Sequence, residues 1–119
     1  MKYPPSNAKR LSAYRLMWIM VFFDLPTGTD TERKAAHQFR QNLLEEGFIM
    51  FQFSIYVRPC PSRENAETHV RRIAQILPPA GKVGILTITD KQFAMMQIFY
   101  GRRTAPKPEG YQQLMLFSD

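Results

Sequence analysis

The chain has 119 residues, 45% hydrophobic and 13% aromatic, enough apolar surface for one core and too little length for two. Sixteen Lys and Arg against ten Asp and Glu give a formal charge of +6, which makes a polyanion the first partner to consider, nucleic acid ahead of an acidic membrane surface. The single cysteine, Cys60, excludes an intrachain disulfide and a cysteine-built zinc site, fits a reducing cytoplasm, and is expected to be inert.

In chain order, residues 1–15 hold Pro4, Pro5, Ser6 and Asn7, then Lys9, Arg10 and Arg15 with no acid, and read as a basic N-terminal arm. The apolar run from Leu16 to Phe23 is too short to span a membrane and has no small-residue cleavage site behind it. Bounded by Asp24 and Pro26, it predicts a central strand buried on both faces. Thr29 and Glu32 have the spacing of a capping box, and Ala36, Phe39 and Leu43 share one face of a helix running to about Glu46, where Gly47 ends it.

From Phe48 to Arg58 the pattern alternates, with Ile49, Phe51, Phe53, Ile55 and Val57 on one face. Its length fits either one bent strand or two short ones broken near Gln52 to Ser54. Pro59 and Pro61 close the segment. Ser62 is the expected N-cap of a second helix with Ala66, Val70, Ile73 and Leu77 as its stripe, stopped by Pro78 and Pro79. A strand over Lys82 to Thr89 follows, then a turn or short helical piece, an apolar segment Ile98 to Tyr100, a basic loop from Gly101 to Gly110, and a strand-like end at Gln112 to Phe117.

This order predicts an α+β fold, a ferredoxin-like βαββαβ sandwich over residues 16–100, with residues 101–119 adding a basic loop and a C-terminal strand. Helices on one face leave the other sheet face bare, so a homodimer with its helices outward is expected, the last strand pairing with the partner subunit.

Asp24 is the candidate for chemistry, because it ends the most apolar strand ahead of the turn-forming Pro26-Thr27-Gly28. A twofold axis at that end would pair it with its mate into a carboxylate site for Mg²⁺ or Mn²⁺, able to polarise phosphate and activate water. Two basic groups could track a phosphate backbone: Arg33, Lys34 and Arg40 on the first helix, and Arg102, Arg103 and Lys107 in the late loop. His37 and His69 read as helix-face residues without metal partners, and the Phe and Tyr residues read as core. Only Tyr14, Tyr100 and Tyr111 flank basic positions, so phosphate and shape recognition is expected over base readout.

Met17-Trp18-Ile19-Met20-Val21-Phe22-Phe23-Asp24-Leu25-Pro26, then Glu32-Arg33-Lys34, Gly47-Phe48, Gln52-Phe53-Ser54-Ile55-Tyr56 and Thr89-Asp90-Lys91-Gln92-Phe93, in that order, resemble CRISPR-associated protein two, most closely its members from type II systems. The resemblance runs from about Leu16 to Phe117. It implies a ferredoxin-like homodimer with exchanged C-terminal strands that bridges dimers of the CRISPR integrase subunit and holds duplex DNA during spacer acquisition. It also implies a Mg²⁺-dependent endonuclease on single-stranded RNA or double-stranded DNA, with Asp24 as metal ligand and Arg33, Gln52, Ser54 and Tyr56 on the family's motif positions. Met50 stands where several nuclease-active relatives carry Arg, a departure that bears on cleavage rather than on fold. Three readings follow: a DNA-holding scaffold, a metal-dependent nuclease, and an RNA-binding ferredoxin-like module without catalysis.

Overall fold

A computed structural model describes residues 16–104. The basic arm 1–15, Lys107 and the expected strand at Gln112 to Phe117 lie outside the described residues.

The elements are β1 (Met17–Asp24), α1 (Asp30–Glu45), β2 (Ile49–Gln52), β3 (Ile55–Cys60), α2 (Arg63–Ala74), β4 (Lys82–Thr89), α3 (Asp90–Ala94), β5 (Phe99–Tyr100) and β6 (Arg103–Thr104). Strands β2-β3-β1-β4 form one antiparallel sheet in the order expected of a ferredoxin-like sandwich, with β1 central, and β5 pairs with β6 separately.

Each boundary has a local cause. Thr29 and Glu32 form the reciprocal capping box at the start of α1. At its end the Gly47 N–H donates to the Leu44 carbonyl and the Phe48 N–H to that of Leu43, a closure that needs the left-handed Gly47, with φ of 93°. The segment 48–58 resolves into two strands: β2 and β3 make a hairpin with Phe53 and Ser54 at its turn. Phe53 thereby leaves the alternating face assigned to it and stands 72% exposed. Pro59 does not end the segment but lies within β3, opposite Trp18. There β3 has run past its last β2 partner and is an edge, which tolerates proline. Ser62 caps α2 by accepting from the Asn65 N–H. The buried stripe of α2 is Ala66, His69 and Ile73, because the helix ends at Ala74 and leaves Leu77 half-exposed beyond it.

Two cores result. Met17, Ile19, Val21 and Phe23 of β1 pack with Phe39 and Leu43 of α1, Ala66 and Ile73 of α2, and Tyr56. On the opposite face Trp18, Met20 and Val57 pack with Phe93 of α3, flanked by Ile49, Phe51, Ile55 and Ile88. The second face is therefore not bare. Phe93 stacks on Trp18 with centroids 4.0 Å apart, and the Trp18 indole N–H donates to Asp90 Oδ1 at 2.7 Å. This cover stops short of the Asp24 end, where Phe22 and Leu86 stay exposed.

Candidate metal and nucleic-acid site at the end of the central strand

Asp24 is the last residue of β1, and its side chain is exposed. Alternation along the strand puts it on the face of Phe22, away from α1 and α2. Its backbone is fixed from several sides. On one flank the Phe23 N–H donates to the Ser54 carbonyl at 3.0 Å, and on the other Asp24 pairs in register with Lys82 of β4. Gly81, with φ of 102°, lets the chain entering β4 press against this point: a Cβ there would stand 2.8 Å from the Asp24 carbonyl oxygen and 2.7 Å from Leu25 Cδ2.

The loop between Asp24 and α1 is equally constrained. Glu32 Oε1 accepts from the Gly28 and Thr29 N–H groups at 2.9 and 3.0 Å. Arg33 donates to the Thr27 carbonyl at 2.9 Å and pairs with the Asp30 carboxylate. The backbone that carries Asp24 is thus held on both sides, while its carboxylate faces solvent.

The donor chemistry fits a hard divalent cation only in part. Asp24 supplies carboxylate oxygen, and Mg²⁺ is commonly held by one or two carboxylates with waters and substrate phosphates. Among the described residues no three His, Cys, Asp or Glu gather into a metal-binding group. The described residues of one chain therefore do not by themselves make a complete metal site.

The basic residues divide. Arg33 is committed in part to the loop, while exposed Lys34 joins Asp30, Arg33, His37 and Gln38 along a shallow groove on α1. Arg40 places its guanidinium over the Phe53 ring at 4.6 Å and the Phe23 ring at 5.7 Å. Arg102 is exposed in the turn between β5 and β6, and Arg103 opposes Tyr100 in that ladder.

Of the motif positions, Gln52 is exposed at the end of β2, Ser54 serves through its backbone, and Tyr56 is core, 5.6 Å from the Phe23 ring. Four residues of the Thr-Asp-Lys-Gln-Phe stretch are structural: Thr89 and Gln92 form a capping box, while Asp90 and Phe93 engage Trp18.

His69 lies on the buried face of α2. It is 6% exposed, and its Nδ1 contacts Glu46 Oε2, which also accepts from Arg72 at 3.2 Å. Arg58 Nε donates to the Glu46 carbonyl at 2.9 Å, tying α1, α2 and β3 together. Burial works to raise the Glu46 carboxyl, but the hydrogen bonds and charges of His69 and Arg72 outweigh it and hold the group below its ordinary range. Glu46 is too distant in sequence from His69 for spacing to reveal the pair. Burial pushes the Cys60 thiol up, against the opposing effect of Arg58, which agrees with an inert cysteine.

Fold and site define a ferredoxin-like α+β domain with a solvent-facing carboxylate ending its central strand and cations along its first helix. Residues 17–96 match the family described as CRISPR associated protein Cas2, and the chain belongs to that family. It is 58% identical over 108 residues to a CRISPR-associated endoribonuclease Cas2 of Flavobacterium psychrophilum, covering 91% of this chain and 94% of the relative. A protein of the same name from Parvibaculum lavamentivorans is 48% identical over 101 residues, 85% of this chain and all of that one. A solved structure described as a crystal structure of cas2 superimposes with a TM-score of 0.52 at 17% identity, over 78% of this chain and 95% of that one, a likeness that shows the fold. No helix among the described residues is long and apolar enough to cross a membrane.

Proposed function

We propose that this chain serves CRISPR adaptation as a homodimer that bridges dimers of the integrase subunit and holds duplex DNA, and that paired Asp24 residues give it a metal-dependent endonuclease activity. The observation that carries the reading is the exposed Phe22 and Leu86 on the sheet face that also bears Asp24. A second copy covering that patch about a twofold axis would bring the two Asp24 carboxylates near one another and complete the site. The names of the relatives, which call them endoribonucleases, support the hydrolytic part.

A Mg²⁺ or Mn²⁺ ion held there would supply Lewis acidity at a phosphate. The chain's own part is to aim Asp24 through the Phe23 to Ser54 bond and the Gly81 approach, and to hold the phosphate backbone with Lys34, Lys82 and the late-loop cations Arg102, Arg103 and Lys107.

The test compares wild type with Asp24→Ala for Mg²⁺-dependent cleavage of single-stranded RNA and duplex DNA, beside duplex binding across a salt series. Cleavage present in wild type and lost in the variant, with binding intact, is expected. No cleavage by either protein, with salt-sensitive duplex binding in both, would remove the nuclease and leave the scaffold.

A further inference from the structure

Phe53 sits where a tight hairpin turn ordinarily carries a small polar residue or glycine, and its ring is 72% exposed. No packing need of the described residues accounts for a phenyl group there. The ring is nevertheless held: the Arg40 guanidinium lies over it at 4.6 Å and also approaches Phe23. Arg40 is half-buried, its Nε has no hydrogen-bond partner, and no carboxylate among the described residues forms an ion pair with it. The result is an ordered aromatic surface backed by an uncompensated positive charge.

We infer that Phe53, braced by Arg40, is a stacking platform for an unpaired nucleobase, and that it directs single-stranded nucleic acid to the Asp24 end of the sheet. Base-on-aromatic stacking with a nearby arginine is how proteins hold single strands without reading sequence. A base inside a duplex has both faces occupied and has none to offer. The position suits the role, since Phe53 immediately precedes Ser54, whose carbonyl receives the Phe23 N–H, one residue before Asp24. Arg33 and Arg40, seven residues apart, lie on one face of α1, so two arginines mark the helix face that leads to the platform. The exposure of Phe53 departs from the expectation that the phenylalanines are core. This role for Phe53 rests on reading the Asp24 end as the nucleic-acid site and adds to that reading the residue pair that would seat an unpaired base.

The experiment measures binding of labelled oligouridylate, oligodeoxythymidylate and a matched duplex to the full chain in EDTA, where cleavage plays no part. Phe53→Ala is expected to weaken single-strand binding about tenfold or more while leaving duplex binding within about twofold. Phe53→Trp is expected to retain single-strand affinity and to show fluorescence quenching as the oligonucleotide is added, against a constant signal from the fully buried Trp18. Unchanged single-strand binding by Phe53→Ala overturns the inference, as does an equal loss for single strand and duplex. A loss accompanied by an altered sedimentation coefficient also overturns it, by making Phe53 a subunit contact. If Asp24→Ala binds single strands normally and no form of the protein cleaves them, the nuclease reading fails while the platform stands.

Discussion

Replacing Asp90 by Ala tests how the second core is fastened. Trp18 is fully buried, and its indole N–H donates to Asp90 Oδ1 at 2.7 Å across 72 residues of sequence. Removing the acceptor leaves a buried N–H without this partner, a loss of about 1–3 kcal/mol. For a domain of this size, about 2 kcal/mol corresponds to a melting temperature lower by about 10 °C. Asp90→Asn, which keeps a side-chain oxygen, should recover most of that loss. Thermal denaturation followed by far-ultraviolet circular dichroism gives the magnitude. Because Trp18 is the only tryptophan, a red shift of its emission in Asp90→Ala would report the site directly. Asp24 lies at the far end of β1, so nucleic-acid binding below the melting range should be preserved. Melting within about 2 °C of wild type would refute the view that this bond anchors α3.

Gly47→Ala should lower the urea midpoint by the equivalent of about 2 kcal/mol, since an L-residue resists φ of 93° and the new Cβ would stand 2.8 Å from Arg58 Nε, displacing its bond to Glu46; an unchanged midpoint would contradict this. The lowered Glu46 carboxyl contributes stability that is complete above its ordinary value of 4.5 and is lost as pH falls through the folded-state value, so Glu46→Gln should flatten the acid limb of a stability–pH curve. Cys60, 1% exposed and with its thiol pushed up, should react with a thiol reagent only at the rate of unfolding, and rapid labelling of the native protein would show the site to be open.

Much of this fold was legible because its signals are local. The Thr29 and Glu32 cap, the stop at Gly47, the Ser62 cap and the apolar run ending at Asp24 each depend on residues a few positions apart, and each element formed where they placed it. The misreadings concern a hairpin turn and pairs distant in sequence. Alternation put Phe53 on one face with Ile49, Phe51, Ile55 and Val57, and left open the break near Gln52 to Ser54 that the structure shows. His69 read as a helix-face residue without a partner because Glu46, 23 residues earlier, is invisible to helical spacing. The Thr89 and Gln92 capping box was readable by spacing, whereas the Trp18 contact that makes Asp90 and Phe93 structural was not. At the candidate site, sequence located Asp24 at a strand end, but the Gly81 approach and the Ser54 carbonyl that hold it required the sheet register.

The central position of β1 has a consequence during synthesis. Among the described residues it leaves the ribosome before its hydrogen-bonding partners on the two sides, β3 and β4, with Met17 finally opposite Thr89. At a translation rate of about 5–20 residues per second, the Trp18 indole waits about 4–14 s before Asp90 even exists. For that interval the most apolar stretch of the nascent chain is an unpaired strand, open to wrong partners and to holdase chaperones. Yield in a cell should therefore depend on elongation speed and chaperone supply more than the stability of the finished domain would imply.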